Sequence, residues 1–226
     1  MSKKSTELVF ILDESGSMYD LKKDTIGGFN SMIDKQKEVK GKCYVTTVLF
    51  NSEIKTIHDR VDLEEIKKMS EEDYCPNNTT ALMDAIGKTI EHISMIYKYI
   101  RKEDIPEKTL FVIMTDGYEN ASVQYSVRKI KEMITKQKEK YKWEFMFIGA
   151  NIDAEETANS YGIDKDMAVN YHADSTGSEI VYESINEAVS GLRRNKKINS
   201  KWNEAIQKDF KTRTKWGVSR ETPHLV

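Results

Sequence analysis

The chain has 226 residues, 38% of them hydrophobic and 32% charged, with eleven glycines and three prolines. That is enough apolar material for one large domain or two small ones, and it excludes collagen-like and disordered classes. Thirty-five Lys and Arg against 37 Asp and Glu leave a formal charge of −2, so no global field draws the molecule to nucleic acid or an anionic membrane. The balance is uneven along the chain: residues 193–226 hold ten basic and three acidic side chains, and residues 1–192 carry a net −9. Cys43 and Cys75 are too few for a disulfide framework and lack zinc spacing, which points to reduced thiols in a cytoplasm. The longest apolar run near the start, Leu8 to Leu12, is too short for a signal peptide or a membrane span.

Leu8-Val9-Phe10-Ile11-Leu12 predicts a strand buried on both faces, ending at Asp13. Leu21, Ile26, Phe29, Met32 and Ile33 recur at helical spacing and predict a helix over 20–40, stopped near Gly41. Cys43–Phe50 and Glu53–Val61 read as strands joined at Asn51-Ser52, a hairpin that gives a parallel core one antiparallel edge. A short helix is expected over Leu63 to Met69, then a loop at Pro76-Asn77-Asn78-Thr79-Thr80 that can cap the amphipathic helix of Ala81 to Arg101. Thr109–Met114 is a second buried strand, ending at Thr115-Asp116-Gly117. Helix over Ser122–Tyr141, strand over Trp143–Ile148, helix over Asp153–Tyr161, strand over Met167–Tyr171 and helix over Ser178–Leu192 complete the pattern. The alternation predicts an α/β fold, a Rossmann-like open and mostly parallel sheet with one antiparallel edge strand and helices on both faces. Residues 1–195 read as one domain and 196–226 as a basic appendage, with a helix around Ser200–Phe210 and a loose end from Gly217. Its Trp202, Phe210 and Trp216 are apolar enough to fold back or to meet a partner.

Two buried strands end in oxygen-bearing residues, Asp13-x-Ser15-x-Ser17 and Asp116. In an open parallel sheet ligands bind at the carboxyl ends of the strands, so both clusters should share one crevice, within reach of Thr79-Thr80. Two carboxylates and several hydroxyls, with no His or Cys beside them, form a hard all-oxygen donor set suited to Mg²⁺, Mn²⁺ or Ca²⁺. Two formal charges leave a divalent ion unsaturated, with a position open for water or a partner's oxygen.

Asp13-Glu14-Ser15-Gly16-Ser17-Met18 resembles the DxSxS signature of the von Willebrand factor type A domain. Thr80-Ala81-Leu82 and Thr115-Asp116-Gly117 match that family's later threonine and aspartate loops. The resemblance covers roughly residues 6–192. In detail the chain is similar to compact intracellular bacterial and phage members, through Thr25-Ile26-Gly27-Gly28-Phe29-Asn30, Asp116-Gly117-Tyr118-Glu119-Asn120-Ala121-Ser122 and Trp143-Glu144-Phe145-Met146-Phe147-Ile148-Gly149-Ala150-Asn151. It departs from many relatives where Asn78 and Thr79 stand in place of glycine. Thr80 is taken as the threonine ligand because it directly precedes Ala-Leu, with Thr79 the alternative. What the resemblance implies is a metal-ion-dependent adhesion site: Ser15, Ser17 and Thr80 supply neutral oxygens, Asp13 and Asp116 act directly or through water, and a protein partner's Asp or Glu completes the shell.

Other readings are weaker. Asp13, Ser15 and Ser17 also suit a metal-free turn. Tyr19, Tyr118, Glu119, Asn77 and Asn51 are candidates for a partner-facing rim, and His58, His92, His172 and His224 are scattered without ligand spacing. No GxxxxGK[ST] or GxGxxG pattern is present. Ser15 and Ser17 have no histidine relay, and Asp13-x-Ser15 lacks the second carboxylate of haloacid-dehalogenase-type phosphatases. A metal-dependent phosphoesterase would need Glu14 or Glu119 as its base. The sequence therefore predicts a binding module and not an enzyme, with a protein partner and no membrane; nucleic acid is disfavoured by the overall charge and left open only by the basic tail, residues 196–226. Two alternatives remain: that metal-dependent phosphoesterase, and a metal-independent regulatory or scaffold subunit working through the basic tail, residues 196–226.

Overall fold

The computed structural model describes residues 5–218. Its centre is a six-stranded sheet of β1 (Ser5–Asp13), β2 (Lys42–Phe50), β3 (Ile54–Asp62), β4 (Lys108–Thr115), β5 (Glu144–Gly149) and β6 (Ala168–Asn170). The order is β3-β2-β1-β4-β5-β6, and β3 alone is antiparallel to its neighbour. The predicted α/β class with one antiparallel edge is what forms. Around the sheet lie α1 (Lys22–Lys37), α2 (Leu82–Tyr99), α3 (Val127–Tyr141), α4 (Ala154–Ser160), α5 (Ser175–Arg193) and α6 (Glu204–Val218).

The continuous apolar strands serve two cores because successive side chains point to opposite faces. Leu8, Phe10 and Leu12 of β1 pack with Phe29 and Met32 of α1 and with Ile185 and Val189 of α5. Val9 and Ile11, from the same strand, pack with Ile86 and Ile90 of α2 and Ile130 of α3. After β1 the chain moves to β2 on one side, and it later returns to β4 on the other. The carboxyl ends of β1 and β4 therefore flank the point where strand order reverses, which is where open α/β sheets hold ligands.

Three segments differ from expectation. Residues 63–69 form no helix, although Leu63, Ile66 and Met69 are buried at helical spacing. Their backbone groups are bonded by side chains instead: Asn30 donates to Met69 O and accepts from Met69 N, and His58 Nε2 bonds Lys67 O. Residues 122–126 are not part of α3, because backbone N–H groups of Val123, Gln124 and Tyr125 donate to the Asp84 carboxylate. Finally, the tail helix runs later than 200–210. α6 packs on α5 and β6, with Trp202 Nε1 donating to Asp166 O, Asn203 Nδ2 to Ala168 O, and Ile206 in the core. The loose end expected from Gly217 lies, from residue 219 onward, outside the described residues, as does His224. No helix among the described residues is long and apolar enough to cross a membrane.

Candidate metal centre

β1 delivers Asp13 beside Thr115 of β4, since Leu12 and Met114 are register partners. The chain then turns sharply. Ser15 N donates to Asp13 Oδ1 (2.8 Å) and Met18 N to Ser15 O (3.0 Å), opening the 3₁₀ turn Gly16–Leu21. An aspartate bonding the backbone two residues on is a common way to make such a turn. The turn places Ser15 Oγ 3.1 Å from Ser17 Oγ, and Ser17 Oγ donates to Asp116 Oδ1 at 2.6 Å. Thr115 Oγ1 donates to Asp13 Oδ2 at 2.6 Å. Four of the five predicted site residues thus form one hydrogen-bonded chain across the ends of β1 and β4.

Thr80 is positioned separately. Its N–H donates to Asn120 Oδ1 (2.9 Å) and its carbonyl accepts from Asn120 N (3.1 Å). The loop before it is tied to the first loop by Asn77 N to Glu14 O and Gly16 N to Asn78 O, with Asn78 at φ +61°. Thr80 is buried, whereas Thr79 is exposed. Among the described residues no hydrogen bond joins the Thr80 hydroxyl to the other four.

The electrostatics are one-sided. Asp13 is 1% exposed and Asp116 3% exposed. Burial pushes both carboxyls above their ordinary range; hydrogen bonds from Ser15 and Thr115 on one, and Ser17 on the other, offset this in part. The charge of Asp116 raises Asp13 further, and among the described residues no Lys or Arg bears on either group. Two carboxylates taken out of water without a counter-charge are costly, and a cation is what would offset that cost. Among the described residues there is no group of three or more His, Cys, Asp and Glu suited to a metal, so a metal here would draw its other side-chain ligands from hydroxyls. Asp13, Ser15, Ser17 and Asp116 with Thr80 nearby form a donor set of that kind, and it fits a hard divalent ion.

The surroundings divide into clamps and free surface. Tyr74 OH donates to the Asp13 carbonyl, and Asn151 Nδ2 donates to Asp116 O at 3.1 Å. Glu119 accepts from Met83 N, Ala121 N, Ser122 N and Ser122 Oγ. Glu14 accepts from Cys75 N, and burial raises its carboxyl. Of the expected rim, Asn51 and Glu119 are therefore loop clamps, with Asn51 holding Asn77 Oδ1 and Ala81 N. Tyr19 (72% exposed) and Tyr118 (63% exposed) stand open to solvent, as does Asn77. Thr115 and Tyr74 were not among the sequence candidates. Thr115 adjoins Asp116 in sequence, but its bond to Asp13 spans 102 positions and only the strand register reveals it.

Comparison with known proteins agrees with this architecture. A von Willebrand factor type A protein from Catenulispora acidiphila aligns with a TM-score of 0.58 at 12% identity, over 83% of this chain and 43% of that one. Proximal thread matrix protein 1 from the mussel byssus, with a zinc occupied MIDAS motif, gives 0.57 at 11% identity, over 84% and 46%. The manganese-loaded TRAP protein of Plasmodium vivax gives 0.53 at 17% identity, over 80% and 73%. This chain spans less than half the length of the first two, and at such identities the likeness is one of fold. No curated protein matches the chain. The family model for the von Willebrand factor type A domain matches residues 7–187. That span takes in the whole sheet from within β1 onward and all three loops of the centre, and the chain belongs to the von Willebrand factor type A domain family.

Proposed function

We propose that this chain is a metal-ion-dependent protein-binding module, in which Asp13, Ser15, Ser17, Thr80 and Asp116 hold Mg²⁺ or Mn²⁺ and an Asp or Glu of a protein partner completes the shell. The observation that carries the reading is the pair of buried carboxylates, Asp13 and Asp116, bridged by serine hydroxyls and, among the described residues, with no basic side chain acting on either. When bound, the ion supplies an electrophilic position for an anionic oxygen, since only two of its five protein donors carry charge. The chain's own residues prepare that position. Thr115 fixes one Asp13 oxygen and Ser15 N the other, while Ser17 orients Asp116. Tyr74 and Asn151 hold the backbone at the two aspartates. The zinc and manganese of the mussel and Plasmodium proteins accord with this reading.

Binding rather than catalysis is favoured by the acidic side chains nearest the centre. The carboxylates of Glu14 and Glu119 are engaged by loop N–H groups, a poor setting for a general base. The reducing, cytoplasmic setting we assign rests on cysteine usage in the sequence, two residues with neither a disulfide framework nor zinc spacing.

Isothermal titration of Mn²⁺ and Mg²⁺ into chelator-stripped protein tests the proposal, with an Asp13→Ala/Asp116→Ala variant alongside whose fold is checked by circular dichroism. Saturable binding lost in the variant is expected. Equal heats from both proteins would overturn the centre and leave the metal-independent scaffold reading.

A further inference from the structure

The connections at the carboxyl edge of the sheet have an unusual composition. They are residues 14–21, 51–53, 116–126, 150–153 and 171–174, with 70–81 brought to the same edge through Tyr74 and Cys75. None of the chain's 35 Lys and Arg falls in these segments. Besides Asp13 and Asp116, nine acidic residues do, including the exposed Asp20, Glu53, Glu72 and Asp153. Cations reach this edge from outside these segments: Lys22 of α1 and Lys55 of β3 donate to the Glu71 and Asp73 carbonyls. The opposite edge is different, with Arg101, Lys102, Lys142, Arg194, Lys196 and Lys197 in its connections.

This sets a problem for any partner. The metal centre calls for a carboxylate, yet a divalent ion offsets only the two aspartates that hold it, and the rest of the edge stays negative. An acidic surface would be repelled before its carboxylate arrived. The aromatic surface points the same way: Tyr19 and Tyr118, each two residues beyond a proposed ligand, offer exposed ring faces that attract Lys and Arg. The edge already takes one basic side chain of this chain, since Arg213 of α6 pairs with Asp174.

We infer that the partner presents its metal-completing Asp or Glu between Lys or Arg side chains, as a lone carboxylate on a basic protein segment. The inference rests on the metal-dependent binding proposed above and adds to it the partner's charge pattern. Carboxylate and flanking cations are both required: the first selects for the loaded centre, and the second rejects ordinary acidic surfaces.

Fluorescence anisotropy with the full chain in Mn²⁺ tests it, using labelled Gly-Lys-Arg-Asp-Lys-Arg-Gly against Gly-Ser-Thr-Asp-Thr-Ser-Gly and against the basic peptide with Asn for Asp. The basic peptide should bind at least about tenfold more tightly than either, weaken as salt is added, and be released by chelator. An Asp20→Lys/Glu53→Lys/Asp153→Lys variant should lose the preference. Equal binding of the two Asp peptides overturns the charge pattern and leaves the metal centre standing. Binding that ignores chelator or the Asn replacement shows charge attraction alone, and no binding of the basic peptide up to about 1 mM shows no such partner; each overturns the inference. Metal titration of the same protein, run in parallel, fails only if the centre itself is wrong.

Discussion

Asp13 is held by groups far from it in sequence: Thr115 on one carboxylate oxygen and Tyr74 on its backbone carbonyl. Thr115→Val keeps the shape and removes the hydroxyl, leaving one oxygen of a buried carboxylate without its partner. Groups that orient a metal ligand are typically worth 10- to 100-fold in metal affinity, so a loss of about tenfold or more is expected by calorimetry; unchanged affinity would remove Thr115 from the centre. Asp116 makes a complementary case. In chelator the unoffset carboxylate works against the fold, and Asp116→Asn retains the acceptor for Ser17. The substitution should raise stability to urea by about 1 kcal/mol while abolishing metal binding, as when an active site trades stability for function. A fall in metal-free stability would show that the carboxylate is not strained by burial. Asp13, Ser15, Ser17 and Asp116 were legible because each lies in a short run ending a buried strand. The roles of Thr115 and Tyr74 were not, because they depend on register and on a loop that closes over 61 positions.

At the scale of elements, Gly28 of α1 lies directly against the Tyr182 ring of α5. A Cβ there would lie 2.1 Å from Cδ2 of the buried Tyr182 ring, whereas Gly27, one position earlier on exposed helix, has nothing within 4 Å. Gly28→Ala should therefore cost about 1–3 kcal/mol through overpacking, and Gly27→Ala should be neutral or stabilising by up to about 1 kcal/mol. Thermal denaturation of the pair checks this, and equal effects would mean that Gly28 is not packed against the Tyr182 ring. The two glycines are neighbours in one helical pattern, so sequence could not rank them. The same limit explains the misread elements. Leu63, Ile66 and Met69 have helical spacing, but Asn30 and His58 satisfy the backbone there without a helix. The start of α3 is delayed to Val127 because Asp84, on another helix, takes the preceding N–H groups. The central strands β1 and β4 were legible because uninterrupted apolar runs need no partner to be recognised.

For the molecule as a whole, two cores share one sheet, and the segment after β3 is pinned to the first of them by His58. Its ring is buried, stacked on Phe29, and bonded to Thr47 Oγ1 and Lys67 O, both at 3.0 Å. Burial is the main influence on it and lowers its pKa from 6.5. The unfolded chain then binds the proton more readily than the fold does, so stability is full above about pH 6.5 and falls with pH below it. Urea unfolding should show a steeper loss from pH 7 to pH 5 for the native chain than for His58→Gln; parallel pH profiles would contradict it. The chain has the von Willebrand factor type A architecture, and the function proposed for it turns on a cation held where β1 and β4 end side by side. The most direct measurement is an anomalous difference map from a crystal of the full chain grown with Mn²⁺. The account predicts a single strong peak among Asp13, Ser15, Ser17, Thr80 and Asp116; a map with no peak there, or with manganese only elsewhere, would contradict it.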